Sequence, residues 1–316
     1  MVNINSDIDA LNKEKTSTAR LSIISNTLLV FMKLTVGLMI GSVSVLSEAI
    51  HSGIDLVAAM IAYFSVRKSS MPPDREHAFG HGKIENLSGT IEAILIFVAA
   101  ALIIKEAYTK ITYGVEMEDV TLGIAVMLVS AIVNFFVSQK LMQTAKKTES
   151  IALEADAWHL RTDVLTSLGV FAGLVVIKLS GIAILDPVIA IIVALFILKA
   201  AFELTIKSVT DLLDTKLPAE EEEEIRKIIS DHSSQFVGFH NLRTRKAGSD
   251  RFVDLHLVVS RGSSVEEAHG LADHIEKDVK ERFPRASVLI HVEPCGERCK
   301  CEDCGAECVK KDLMKE

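Results

Sequence analysis

The sequence lacks cysteine over most of its length, because all five cysteines lie between Cys295 and Cys308. Thiols confined to one short segment cannot cross-link a fold, so a disulfide framework is excluded and a reducing compartment is expected. An excess of basic residues is also missing, since the 316-residue chain has a formal net charge of −8. Nucleic acid requires a concentrated basic surface, and we therefore exclude it as a partner.

Hydrophobic runs are missing from both ends of the chain. The polar stretch Met1–Lys15 has no apolar segment typical of a signal peptide, so we expect no cleaved leader. After Leu217 no stretch is long enough to cross a bilayer. The chain is nevertheless 49% hydrophobic and 24% charged, with a mean hydropathy of +0.33. The apolar and charged characters are therefore segregated along the sequence.

Six apolar segments reach the ~20 residues that a transmembrane helix requires. They are, approximately, Leu21–Ile40, Val43–Val66, Leu87–Ile104, Val120–Val137, Leu153–Ile177 and Ile182–Ile206. Lys and Arg cluster before the first segment, between the second and third, and between the fourth and fifth. The positive-inside rule then predicts that both termini are cytoplasmic. We predict a cytoplasmic N-terminal segment over 1–20 and a six-helix membrane domain over 21–214.

A different pattern follows, typical of a small soluble domain. Apolar residues at helical spacing after Pro218 and over Val265–Val279 predict two helices. Alternating residues over Arg251–Val259 and Val288–Val292 predict two strands, with a further strand near Phe239–Arg245. The order helix–strand–strand–helix–strand predicts a compact cytoplasmic α+β domain.

Two predicted spans carry the same motif, His-x3-Asp. The second span contains His51 and Asp55, and the fifth contains His159 and Asp163. The i, i+4 spacing places each pair on one helix face. An Asp at the bilayer centre costs ~2.5–3.5 kcal/mol, so these carboxylates require a compensating function. Two imidazoles and two carboxylates form a tetrahedral set that suits zinc and also serves iron, cobalt or cadmium. The alternative is interhelical hydrogen bonding without metal, or a proton relay.

A second cluster, Asp74, His77 and His81, lies in the loop after the second span. Its spacing suits a metal ion, while scattered histidines in a solvated loop are the alternative. All four histidines before Leu217 fall in these two clusters, which favours ligands over chance.

The domain over 215–294 is followed by a cysteine-rich tail over 295–316. Its five candidate thiolates are Cys295, Cys299, Cys301, Cys304 and Cys308. Four thiolates form a closed zinc site, and softer ions fit as well. A disordered tail that captures metal without folding is an equal alternative.

These motifs resemble the cation diffusion facilitator family. The stretches Gly41–Leu46, His77–Lys83, His240–Arg245 and Arg282–Pro284 add to the resemblance, which runs from about Leu21 to Pro294 and is nearest to bacterial zinc and iron exporters. It implies a homodimeric metal/proton antiporter of the cell inner membrane, with no enzymatic activity and no organic cofactor. Zinc is the expected substrate and regulatory ligand, and iron, cadmium or manganese are alternative main substrates.

The resemblance also assigns roles to residues. It implies a transport site formed by His51, Asp55, His159 and Asp163, and a loop site formed by Asp74, His77 and His81. It implies a zinc site in a metallochaperone-like, dimer-forming cytoplasmic domain, with the residues His240, His256, His269, His291 and Glu293, the last standing where some relatives have Asp. Lys83 and Asp214 match an ion pair that locks the dimer at the inner membrane face.

The sequence argues against two other classes of function. A membrane-anchored metal sensor does not need ligands in the middle of two spans. An intramembrane metalloenzyme is expected to hold zinc with three protein ligands and a water, whereas four ligands fill the shell, and no HEXXH-type motif occurs.

Overall fold

The structure is a computed structural model that describes residues 4–40, 43–113, 121–180 and 185–296. It consists of two compact units, one of Ala10–Leu212 and one that includes the chain from Leu213 onward. The predicted tail thiolates Cys299, Cys301, Cys304 and Cys308 lie outside the described residues, as do the predicted turns near 41–42 and 181.

The first unit is built from six long helices, as the hydropathy pattern predicts. They are α1 (Ile4–Ile40), α2 (Val43–Ser69), α3 (Lys83–Tyr113), α4 (Thr121–Thr148), α5 (Ile151–Ser180) and α6 (Leu185–Leu212). Within the described residues, all of these except α5 contain a stretch long and apolar enough to cross a membrane. The 30-residue helix α5 is as long as its neighbours. Its first half holds several ionisable side chains, and His159 and Asp163 are two of them.

Helix α1 begins at Ile4, well before the span predicted from Leu21. The additional turns are polar, and they belong to the bundle because their polar groups find buried partners. Lys15 is 1% exposed and lies 2.6 Å from a carboxylate oxygen of Glu85 on α3. The hydroxyl of Thr18 lies 3.1 Å from that of Thr144 on α4.

Glu85 is the centre of a buried polar network that joins four parts of the bundle. Besides Lys15, the hydroxyl of Ser69 on α2 donates to this carboxylate at 2.6 Å. Ser150, immediately before α5, donates a further short hydrogen bond to its second oxygen. A buried carboxylate is tolerated when it is paired and fully hydrogen-bonded, and this one is.

Removing one partner from this network should strongly destabilise the protein. Lys15→Met leaves Glu85 buried without its cation, which costs about 3–5 kcal/mol when a buried pair is broken. Lys147→Met is the matched control, because Lys147 pairs with Glu14 at 2.6 Å but is 59% exposed, and exposed pairs contribute about 0–1 kcal/mol. Thermal unfolding in detergent should show a much larger drop in Tm for Lys15→Met. Equal drops for the two variants would show that the network is not stabilising.

The second unit has the predicted order of elements. It contains α7 (Ala219–Asp231), β1 (Gly238–Ala247), β2 (Asp250–Val259), α8 (Val265–Arg282) and β3 (Ala286–Pro294). The three strands form a sheet in the order β1-β2-β3. The pair β1–β2 is antiparallel and the pair β2–β3 is parallel.

One face of this sheet is covered and the other is open. In β2, alternate residues such as Val253, Leu255 and Leu257 are 0–1% exposed and pack in one core with Ile229 of α7 and Ile275 of α8. Because successive side chains of a strand point to opposite faces, the residues between them lie on the face away from the helices. That open face carries His240, His256 and His291.

Candidate metal sites

The two His-x3-Asp pairs converge inside the helical unit. His51 Nε2 lies 3.9 Å from Asp55 Oδ1 and 3.9 Å from Asp163 Oδ1. His159 Nε2 lies 3.1 Å from Asp55 Oδ1. The structure therefore brings all four predicted transport-site residues together, two from α2 and two from α5. Ligand atoms of His51, Asp55 and Asp163 lie within 4.8 Å of one another and can hold a metal ion.

His159 is placed differently from the other three. Its Nε2 is within hydrogen-bonding distance of Asp55, while its Nδ1 is buried and has no hydrogen-bond partner among the described residues. An imidazole nitrogen that donates a proton to a carboxylate cannot bind metal at the same time. For His159 to act as a ligand, this hydrogen bond has to break and the Nε2 proton has to leave.

The site opens into a cavity of about 420 Å³. His51, Asp55 and Asp163 line it, and the His51 side chain is 47% exposed whereas that of His159 is 5% exposed. The other lining residues include Glu106, Ser130, Asn134, Thr166 and Ala190. These belong to the halves of α3 to α6 that lie away from Lys83 and Leu212. The site is therefore reached through this cavity from one end of the bundle.

A buried lysine beside the site was missed by the sequence analysis. Lys33 on α1 is 6% exposed, and its Nζ donates to the hydroxyl of Ser52 at 2.8 Å. It lines the same cavity as His51 and Asp55. The sequence feature that indicates it is a single lysine within an apolar span. Burying such a charge in the membrane costs free energy, so it is expected where it has a function.

The loop cluster is also assembled. Asp74 Oδ1 lies 3.1 Å from His77 Nδ1, and Asp74 Oδ2 lies 3.2 Å from His81 Nε2. The backbone N–H groups of His77 and Glu76 donate to Asp74. The hydrogen bond from the His77 backbone, with help from its ring and from Glu76, lowers the pKa of Asp74 to about 2. The carboxylate is thus charged at any physiological pH, and ligand binding here depends on the protonation of the histidines.

Three histidines form a row across the open face of the sheet. The strand register pairs His240 with His256 and His256 with His291. The ring centroids are 5.1 Å apart for the first pair and 4.8 Å for the second. A register shift after His240, where Asn241 adopts a positive φ of 51°, interrupts the pairing of β1 with β2. Every strand thus contributes one imidazole to the same site.

Glu293 bridges this row. Its Oε1 lies 2.7 Å from His256 Nδ1, and its Oε2 lies 3.1 Å from His240 Nε2. Partial burial opposes ionisation of Glu293, but the hydrogen bonds from His256 and His240 outweigh it and lower the pKa of the carboxyl. His240, His256 and Glu293 form a set that can hold a metal ion. His291 Nε2 lies 3.6 Å from Glu293.

The remaining predicted residues lie elsewhere. His269 is on α8, where its Nε2 is 3.6 Å from Asp273, and it is not part of the set around Glu293. Asp214 pairs with Arg245 at 3.1 Å, and Lys83 donates to the carbonyl of Leu212 at 3.3 Å. Cys295 is buried as the last residue paired to β2, with its N–H bonded to Val259.

Comparison with protein families agrees with this division into a helical unit and a small α+β unit. Residues 19–213 match the model described as the cation efflux transmembrane domain. Residues 217–295 match the model of the cation efflux protein cytoplasmic domain. The chain belongs to the cation diffusion facilitator family. As a member of this family it is a membrane-spanning cation efflux transporter, and the predicted helical membrane fold with a C-terminal α+β domain is confirmed. The second match also supports homodimerisation through the cytoplasmic domain.

Individual relatives fit the same assignment. The uncharacterised transporter sll1263 of Synechocystis is 35% identical over 80% of this chain and 82% of its own. The cation-efflux pump FieF of Yersinia pestis is 34% identical over 81% of this chain and 84% of its own. The zinc form of CzrB is a solved structure that is 42% identical, with a TM-score of 0.26, over 28% of this chain and 99% of its own. The metal-bound C-terminal domain of the CzcD transporter from Thermotoga maritima is 27% identical, with a TM-score of 0.24, over 25% of this chain and 93% of its own.

The histidine row predicts zinc binding by the isolated domain of this cation diffusion facilitator. A fragment of residues 213–296 should be soluble, bind zinc in calorimetry and dimerise more tightly with zinc than without it. His256→Ala and Glu293→Gln should each weaken binding by about 10–100-fold, because each removes a ligand or its bridging partner. Binding should also weaken as the pH falls, because protons compete with the metal for the imidazole nitrogens.

His274→Ala is the matched control for these variants. His274 lies on α8 and is exposed, so its replacement should leave zinc affinity unchanged. A fragment that binds no zinc, or an equal loss in the control, would contradict a metal site at the histidine row.

Proposed function

We propose that this transporter exports a divalent transition-metal ion, zinc foremost, from the cytoplasm of a bacterial cell in exchange for protons. The ion is the substrate, and it binds where α2 and α5 face one another. Iron, cadmium and manganese are the alternative main substrates, because the same mixed nitrogen and oxygen ligands serve them as well. Residues 1–20, 215–294 and 295–316 are assigned to the cytoplasmic side.

The observation that carries this proposal is the convergence of the two His-x3-Asp pairs. The contacts among His51, Asp55, His159 and Asp163 range from 3.1 to 3.9 Å. A metal ion about 2.0–2.2 Å from each ligand atom requires only small side-chain movements from such a starting geometry. Both carboxylates would then be neutralised by the ion.

The same ligands supply a coupling to protons. Metal binding requires ionised carboxylates and neutral imidazoles with a free nitrogen. The Nε2 of His159, which lies 3.1 Å from Asp55, has to lose its proton before it joins the shell. Loading a metal therefore expels protons, and protonation from the opposite side favours metal release. Each ion that leaves is replaced by protons that return.

Access to the site alternates between the two ends of the bundle. The cavity that reaches His51 lies toward the ends of the helices away from Leu212. With the termini in the cytoplasm this is the outer end, so the described conformation is the one that releases metal. At the inner end the network around Glu85 is closed, and it has to open when metal is loaded.

The other clusters have supporting roles. The loop set at Asp74 and the row at Glu293 lie on the cytoplasmic side under this orientation and are assigned to metal capture and regulation. Homodimerisation occurs through the cytoplasmic domain, with Lys83 and Asp214 as an ion pair at the inner membrane face. The tail thiolates provide a further metal-binding segment.

Removing one ligand should abolish export. Asp163→Ala deletes a carboxylate at the site and should reduce zinc flux into liposomes by about 100-fold or more, since even partners of ligands are worth about 10–100-fold. Thr205→Val is the matched control, because Thr205 lies on α6 outside the lining of the cavity and its hydroxyl donates to the helix carbonyl of Ala201 at 2.7 Å. Gel filtration should show intact dimers for both variants. Parental flux in Asp163→Ala would overturn the assignment of the transport site.

His51 should determine metal preference. His51→Asp replaces a borderline nitrogen ligand by a hard carboxylate and adds a negative charge to the site. We expect cadmium or iron to be transported better, relative to zinc, than by the parent protein. The pH dependence should shift downward because a carboxylate has a lower proton affinity than an imidazole. Competition assays that give unchanged metal ratios would mean that helix packing, and not His51, sets selectivity.

A further inference from the structure

A second group of buried oxygens lies in the membrane unit, apart from the transport site. Glu92 on α3 and Asp156 on α5 are both 0% exposed. They lie where α3 packs on α5, because the neighbouring residues Ala93 and Ala155 belong to one buried cluster. Neither residue belongs to a His-x3-Asp motif or to any other site described above. Two buried carboxylates without a partner would cost much free energy, so the bundle requires a cation, protons or hydrogen-bond donors that balance their charge.

The oxygens of this group lack partners. Among the described residues, neither carboxylate oxygen of Asp156 has a hydrogen-bond partner, and the same is true of Glu92 Oε2. Ser22 on α1 lies beside Asp156, is 0% exposed, and its hydroxyl is unpartnered as well. Ser88 donates to the other oxygen of Glu92 at 3.2 Å. Buried polar groups are nearly always satisfied, so four unsatisfied oxygens from three helices indicate a missing ligand.

The position of the group relates it to the transport site. Asp156 precedes His159 by three residues on α5, which is about 4.5 Å along the helix axis toward Ile151. That is the side away from the open cavity. The group therefore lies between the transport site and the end of the bundle that holds Ile151 and Lys83.

We propose that Glu92, Asp156 and Ser22 form a second cation site, which holds the divalent metal on its way from the cytoplasm to the transport site. The role as an intermediate binding site on the transport pathway rests on the proposed export function, whereas the binding of a cation does not. The negative charges of two carboxylates equal the positive charge of a divalent ion. Oxygen ligands suit hard cations such as Mn²⁺. They bind zinc less tightly than imidazole does. Weak binding is what passage to the next site requires.

A cation or a shared proton can balance these carboxylates. A proton between two carboxylates needs their oxygens within hydrogen-bonding distance of each other, about 2.5–3.0 Å. Oxygens around a metal ion are about 2.0–2.6 Å from the ion and hence farther from one another. Binding of Mn²⁺ distinguishes the two.

Equilibrium dialysis with Mn²⁺ tests the site in the full-length protein. The background is Asp163→Ala, which disables the transport site, and the test variant adds Glu92→Gln and Asp156→Asn. Sites elsewhere in the chain are the same in both proteins and cancel in the difference. We expect the test variant to bind about one Mn²⁺ per chain fewer, as two lost carboxylate ligands imply. Glu154→Gln is the matched control on α5, because Glu154 pairs with Lys207 at 2.6 Å instead; it should bind as the background does.

Equal Mn²⁺ binding by the background and the test variant would overturn the proposal and leave the carboxylates as proton holders. Should the double substitution prevent folding, Ser22→Ala removes only a neutral hydroxyl, and it should lower Mn²⁺ affinity severalfold; unchanged affinity would again overturn the site. Zinc flux by the parent protein tests export separately. If the test variant binds less Mn²⁺ but the parent protein exports no zinc, the cation site stands and its role as an intermediate binding site on the transport pathway is refuted.

Discussion

Charge buried between transmembrane helices has to be balanced, and most features of the helical unit follow from that constraint. A carboxylate in the bilayer interior is stable only with a cation, a proton or several hydrogen bonds. Glu85 receives Lys15 and two hydroxyls, and this network joins helices in the described conformation. At the proposed transport site, His159 is the one partner that Asp55 has within hydrogen-bonding distance among the described residues, and a metal ion can displace it. Stability and transport thus use the same physical rule with different partners.

The cytoplasmic unit meets a different constraint. A three-stranded sheet has two faces, and the helices α7 and α8 cover one of them. The uncovered face can hold polar residues at a smaller desolvation cost than the core, so it accommodates the partly buried His240, His256 and Glu293. Metal binding there competes with water and with protons on imidazole rather than with the membrane. The proposed transport site in the helical unit and the proposed regulatory site on the sheet can therefore respond to different metal concentrations and pH values.

Much of this arrangement could be predicted from the sequence. The i, i+4 spacing of His51 and Asp55 fixed one helix face, and strand alternation placed His256 and His291 on one side of a sheet. The start of α1 could not be predicted, because hydropathy does not show that Lys15 has a buried partner seventy residues away. The alignment of three histidines across three strands depends on pairing register, which a single sequence does not specify. The sequence does not relate Glu92 to Asp156, because their proximity depends on the packing of α3 on α5.

The central claim is that metal moves one way because protons move the other way. Purified protein in liposomes that enclose a zinc dye and a pH dye tests it directly, since both fluxes are recorded in one sample. Zinc uptake should raise the lumenal pH in step with the amount of zinc that enters, and an acidic lumen should accelerate uptake. Zinc uptake with a constant lumenal pH and no response to an imposed pH gradient would contradict the account.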